Sequence, residues 1–140
     1  KISKQQRSAN MAQIGPKNTM PELAVRRALH RRGLRYRIHA KALPGKPDIS
    51  IKKYNLIVDV KGCFWHYHQG CQFSSTPKTN TDYWMSKIQR NTERDTRNYI
   101  LLQELGYQVY TIWECETKDM FQLNNKVDSI EHYVRGYKRK

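Results

Sequence analysis

Carboxylates are scarce in this chain: 12 Asp and Glu stand against 26 Lys and Arg in 140 residues, a formal net charge of +14. That shortage argues against a cationic partner and for a polyanion, because neutralising phosphates releases condensed counterions. A basic protein that merely adheres to nucleic acid would carry the same charge, so charge alone names no function. Cysteine is sparse too. Three of them, an odd number with no signal peptide visible, argue against a disulfide framework and fit a reducing, cytoplasmic setting. No apolar run approaches the length of a membrane span, which removes the membrane as a partner. Repeats and low-complexity tracts are missing as well. What remains, 38% hydrophobic and 27% charged residues, fits a globular fold, and the length predicts one domain with a real core.

Residues 1–18 are polar and basic around a small apolar pair, Met11 and Ile14, and predict an N-terminal arm ahead of a single domain over 19–140. Thr19-Met20-Pro21-Glu22 opens a helix with a cap, a first-turn proline and an acid facing the dipole. Leu23, Val25, Ala28 and Leu29 supply its buried face, and Gly33 ends it. Leu34 to His39 reads as a strand, and Leu43-Pro44-Gly45-Lys46-Pro47 as a rigid turn. Two β-branched runs, Asp48–Ile51 and Leu56–Lys61, read as a hairpin around Lys52-Lys53-Tyr54-Asn55. A long helix is predicted over Asp82–Leu105, with Trp84, Ile88, Tyr99, Leu102 and Leu105 as core contacts. Tyr107–Trp113 reads as a fourth strand, and a last amphipathic helix aligns Val127, Ile130 and Val134. The order α-β-β-β-α-β-α predicts an α/β fold, a mixed sheet flanked by helices.

Within that frame two constellations carry chemistry. Side chains alternate along a strand, so Asp59 and Lys61 point the same way, and Asp48 can face them from the neighbouring strand. Two carboxylates and an ammonium converging there would seat a hard divalent cation beside a phosphate. Solvated strand ends would give the same bare pattern. The second constellation is Cys63-Phe64-Trp65-His66-Tyr67-His68-Gln69-Gly70-Cys71, joined by Cys115 after the fourth strand. It holds more soft ligands than a structural zinc needs. Cys63, His68, Cys71 and Cys115 make a tetrahedral set that would staple an irregular loop to a distant strand. The competing readings are three free cysteines with two surface histidines, or His66 as a ligand of that loop.

Several longer motifs stand in order: Arg7-Ser8-Ala9-Asn10-Met11, Leu43-Pro44-Gly45-Lys46-Pro47-Asp48, Gly62-Cys63-Phe64-Trp65-His66 and Trp113-Glu114-Cys115. With them goes Asn80-Thr81-Asp82-Tyr83-Trp84, followed by Lys87-Ile88, Asn91 and Glu93-Arg94-Asp95. Over roughly Arg7 to Glu116 the chain resembles the very-short-patch repair (Vsr) DNA mismatch endonucleases. The resemblance implies a restriction-endonuclease-like fold with a zinc-stapled loop. It implies Mg²⁺-dependent nicking of one strand 5′ of the thymine in a T:G mismatch, the lesion left when 5-methylcytosine deaminates. Also implied are a structural Zn²⁺, mismatch-repair partners such as MutL, and a bacterial, nucleoid-associated setting.

Position by position, Asp48 matches the metal-binding aspartate, Glu22 the helix glutamate that helps hold metal-bound water, and Val60 the residue lending a backbone carbonyl. His66 matches the catalytic histidine, and Cys63, His68, Cys71 and Cys115 the zinc ligands. Phe64, Trp65 and Trp84 match an aromatic wedge entering the mismatch from the major groove; Met11 and Ile14 match apolar arm residues in the minor groove. Two features depart from the family pattern. An apolar residue usually stands where this chain has Asp59, and His or Asp where it has Lys61. The zinc loop is also one residue longer, with Gln69 and Gly70 between His68 and Cys71.

Phosphodiester hydrolysis needs a positioned water, a sink for charge on the phosphate and a stabilised leaving oxygen. Asp48 and Asp59 would hold one or two Mg²⁺, while the softer Cys/His set suits zinc, so the two sites should not exchange metals. Histidine is the side chain best suited to proton transfer at physiological pH, so His66 is the preferred base, with Lys61 as electrostatic partner. Base rates place Phe64, Trp65 and Trp84 in the core, yet two adjacent aromatics on an extended segment cannot both point inward. Two other functions compete: a restriction-type or selfish-element endonuclease with another DNA target, and an inactive zinc-stapled DNA-binding module. A single scissile strand is consistent with a monomer.

Overall fold

The computed structural model describes residues 18–74 and 77–138. Helix α1 (Met20–Arg31) is followed by β1 (Arg37–Ile38), β2 (Ile49–Ile51) and β3 (Leu56–Lys61). The long helix α2 (Thr81–Glu104), β4 (Gln108–Trp113), the short α3 (Glu114–Thr117) and α4 (Met120–Gly136) complete the order. One four-stranded sheet runs β1-β2-β3-β4, antiparallel up to β3 and parallel between β3 and β4. The parallel pair requires a long crossover, and α2 provides it.

The sheet sorts its side chains by parity. Leu56 and Val58 of β3, with Ile49, Ile51 and Ile112, face one way and bury themselves against Val25, Ala28 and Leu29 of α1 and Leu123, Val127 and Ile130 of α4. Each such aliphatic side chain contributes about 1.5–3 kcal/mol of transfer free energy when fully buried. The opposite parity, Ile57, Asp59 and Lys61, faces α2, where Leu102 is buried. That face holds the polar residues of interest. Arg32 fastens the end of α1 to α4 through Asp128 and Glu131, each 2.7 Å away.

Local signals explain most boundaries. Thr19 caps α1, accepting from the Glu22 amide at 3.4 Å, and Pro21 lies in the first turn. The hairpin closes through a 3₁₀ turn (Lys52–Tyr54) and Asn55 at φ 48°, a left-handed conformation that asparagine tolerates. Three expectations need correction. The first strand is two residues long rather than six, because its partner β2 offers three residues and His39 leaves the strand at φ 49°. Tyr99 and Leu105 are 42% and 59% exposed, not core, since α2 lays only one stripe on the sheet. The short helix α3 has no counterpart among the elements expected from the sequence. Met11 and Ile14 lie outside the described residues.

Candidate active site and cysteine–histidine cluster

The β2–β3 register pairs Ile49 with Val58, and one step further places Asp48 opposite Asp59. The two aspartates line one cavity of about 190 Å³ together with Glu22, Lys61, His66 and Asp95. Asp48 is fixed there by the Val60 amide, which donates to its Oδ2 at 2.7 Å, while the Val60 side chain packs against the core. The cavity wall formed by the Leu43–Pro47 turn is pressed on α2. A Cβ on Gly45 would lie 2.6 Å from Asn98 Nδ2, and Gly45 itself sits at φ 75°, so this position requires glycine on two counts.

Crowding of acids shapes the electrostatics. Burial raises Asp48 to about 7; the Val60 hydrogen bond opposes this, and the charges of Asp59 and Glu22 add to it. Asp59 is also raised by burial, with Lys61 pulling it back. A cation in the cavity would offset the burial and mutual repulsion that raise these carboxyls and let them ionise together. The tight group around Asp48 is Glu22 and His39, whose ligand atoms all lie within 4.8 Å of one another; Asp59 is not in that group. Glu22 is nearly fully buried, and its Oε2 receives the Asn18 amide at 3.1 Å and Arg26 Nη2 at 3.0 Å, with His39 Nε2 at 3.2 Å.

On the other side of the cavity His66 Nδ1 lies 2.5 Å from Asp95 Oδ2, and Lys61 Nζ lies 3.8 Å from the same oxygen. Burial works to raise Asp95, but the hydrogen bond and charge of His66, with Lys61 behind, outweigh it and hold the carboxyl below its ordinary value. An ionised Asp95 accepts a hydrogen bond from Nδ1–H and leaves Nε2 of His66 with a free lone pair, the arrangement of an oriented general base. His66 is thus directed to the carboxylate cavity and away from the cysteines.

His68 takes the opposite direction. Its Nδ1 lies 3.6 Å from Cys63 Sγ and 3.4 Å from Cys115 Sγ, and the four ligand atoms of Cys63, His68, Cys71 and Cys115 fall within 4.8 Å of one another. With Zn–S near 2.3 Å and Zn–N near 2.0–2.1 Å, the edge of a tetrahedron is about 3.6 Å, so this set has the size of a zinc tetrahedron. Trp113 holds the imidazole by stacking at 4.2 Å and 5°. Gly70, at a φ of 72°, turns the chain towards Cys71. Burial pushes the Cys115 thiol up to about 12 and also raises Cys63, whereas the Phe73 amide lowers Cys71.

Phe64, Trp65 and Trp84 form one cluster, with centroids 5.1 Å (Phe64–Trp65), 5.8 Å (Phe64–Trp84) and 5.6 Å (Trp65–Trp84) apart. Trp65 is 43% exposed, and Lys87 Nζ rides 5.4 Å above its ring. The Trp65 carbonyl is anchored by Asn91 Nδ2 at 3.1 Å. Sequence reasoning gave no role to His39, Arg26 or Asp95. A signal existed for the last: Asn91, Asp95, Asn98 and Leu102 follow i, i+4, i+7, i+11 on one face of α2, polar where the sheet below is polar. Nothing comparable marks His39, which reaches Glu22 from a β1–β2 connection of irregular backbone.

Comparison with known proteins finds relatives over nearly the whole chain. The sequence model described as DNA mismatch endonuclease Vsr matches residues 1–72. The chain is 42% identical over 130 residues to the type II nicking enzyme V.XorIIP of Xanthomonas oryzae, covering 93% of this chain and 95% of the relative. It is 45% identical over 129 residues to the type II nicking enzyme V.NmeAIP of Neisseria meningitidis, covering 92% and 91%. To the DNA mismatch endonuclease Vsr of Escherichia coli it is 36% identical over 132 residues, covering 93% and 84%.

Proposed function

This chain belongs to the Vsr family of DNA mismatch endonucleases, and from that membership we propose that it nicks one DNA strand on the 5′ side of the thymine in a T:G mismatch. The observation that carries the reading is the convergence of Asp48, Asp59, Glu22 and the His66–Asp95 pair on one cavity.

Asp48, Asp59 and the backbone at Val60 would hold Mg²⁺, with Glu22 aiding through bound water. The cation would act as Lewis acid and clamp on the leaving oxygen. His66, oriented by Asp95, takes the proton of the attacking water, and the protonated Lys61 stabilises negative charge on the phosphate. Cys63, His68, Cys71 and Cys115 would hold a structural Zn²⁺ that ties the loop to the end of β4. Phe64, Trp65 and Trp84 form the wedge; a mispair costs less to unstack than a matched pair, which favours mismatched duplex. Residues 19–140 then constitute the endonuclease domain, with 1–18 as a basic arm bringing Met11 and Ile14 to the minor groove. The enzyme acts as a monomer near the nucleoid, in concert with mismatch-repair proteins such as MutL.

The test is a nicking assay on matched and mismatched duplexes, with Mg²⁺ or EDTA, using wild type and Asp48→Ala. Cleavage of one strand that needs the mismatch, Mg²⁺ and Asp48 is expected. Equal cutting of matched DNA would replace this reading with a restriction-type endonuclease, to which the complete Asp48/Asp59/Lys61 set is suited. Metal-independent binding without cleavage would leave a DNA-binding module.

A further inference from the structure

The α2-facing side of the sheet is not covered over its whole width. Beyond the Leu43–Pro44 turn, which walls off the catalytic cavity, Ser50 of β2 and its partner Arg37 of β1 floor a second depression of about 640 Å³. Arg35, Arg37, Lys52 and Lys53 surround it, Tyr36 and Tyr107 supply apolar wall, and no carboxylate lines it. Among the described residues none of these four cations reaches an acid within ion-pair distance, although Arg26, Arg32, Lys61, Lys118, Lys126 and Arg135 all do. Tyr36 also borders a further depression of about 720 Å³ along α1, lined by Arg27, His30 and Arg31 and again without an acid. Cationic surface therefore continues from the edge of the catalytic turn around β1 and onto the outer face of α1.

With only 12 acids in the chain, an acid-free depression ringed by four cations concentrates positive potential there. Exposed arginines beside a tyrosine-bearing wall match the chemistry of a sugar–phosphate backbone. The guanidinium presents a planar fork to phosphate oxygens, and the tyrosines lie beside the less polar sugars. We infer that the Arg35/Arg37/Lys52/Lys53 depression is a second DNA-backbone site, which grips the substrate duplex away from the scissile phosphate. This inference rests on the proposed function for the identity of the polyanion. It gives the depression a role in affinity and register, not in the chemical step.

Salt-dependent binding in EDTA tests it, using mismatched duplexes of about one helical turn and of about three turns. For Arg37→Ala/Lys52→Ala the dependence of log K on log salt should flatten by about 1.8 on the long duplex, about 0.9 for each phosphate that is no longer neutralised. The short duplex should show no change, and Arg37→Lys/Lys52→Arg should restore the slope. An unchanged slope on the long duplex, or an equal flattening on both lengths, would overturn the site. Binding without metal separates the two questions. If wild type fails to nick while the length-dependent slope change appears, the nicking reading fails and the backbone site stands.

Discussion

Replacing Asp48 by Asn removes the charge that the fold stores at the cavity while keeping an oxygen for the Val60 amide. Asp48 is raised from an ordinary 3.8 to about 7, chiefly by burial. A shift of that size corresponds to about 4 kcal/mol of disfavoured ionisation at 1.36 kcal/mol per unit, an upper figure because Asp59 relaxes with it. The sign follows from proton binding. The folded state holds its proton to higher pH than the unfolded chain, so the neutral acid's stability is fully present below about pH 4 and is lost as pH rises through 7. Without metal, wild type should therefore weaken from pH 5 to pH 8 by more than Asp48→Asn, in which only Asp59 remains raised. The variant's advantage at pH 8 should approach about 4 kcal/mol, roughly 10 °C in melting temperature. Mg²⁺ should reverse the order by stabilising wild type alone. Urea and thermal denaturation in EDTA across that range, repeated with Mg²⁺, supplies the measurement. A wild-type-minus-variant difference that stays flat with pH would refute the account of a desolvated carboxylate awaiting a cation.

Other perturbations separate the remaining parts. Asp95→Asn should lower the nicking rate at saturating DNA by at least about 10²-fold, with mismatch affinity unchanged, because His66 loses the partner that orients it; an unaltered rate would remove Asp95 from the machinery. Wild type should carry one zinc per chain by elemental analysis and Cys115→Ala less than one, with earlier proteolysis of the 63–74 loop. Full zinc occupancy in that variant would exclude Cys115 as a ligand. Trp65→Ala should cost about 1–3 kcal/mol of mismatched-duplex binding, roughly 5- to 150-fold. If matched duplex weakens as much, the ring is a general contact and not a wedge.

What the sequence disclosed divides along physical lines. Strands β2, β3 and β4 were readable because each is a run of β-branched and aromatic residues whose parity and turn chemistry agree, and Asn55 and Gly106 stand where the chain must bend. The first strand was overread because Leu34–His39 has strand composition. Edge pairing is limited by the partner, and a three-residue β2 cannot sustain six residues beside it. Helix α2 was legible in extent but not in its buried stripe: an apolar residue at nearly every turn gives several candidate faces, and only docking on β3 and β4 selects the one holding Ile88 and Leu102.

The site divides in the same way. Asp59 and Lys61 occupy strand positions whose facing is fixed by a period of two, and Asp48 stands one residue before β2, held to β3 by the Val60 amide, so nearby sequence brings the three together. Asp95 and His39 arrive from elements whose placement depends on tertiary packing, and each acts by contact with a residue at least 17 positions away. That separation has a consequence for mechanism. Lys61 and His66 meet on one oxygen of Asp95, so the cation and the base are not independent candidates for a single role. A carboxylate shared between them lets Lys61 keep its charge for the phosphate while His66 is left with a free Nε2 for water. The two residues therefore act together, and the substitution that uncouples them is the one at Asp95.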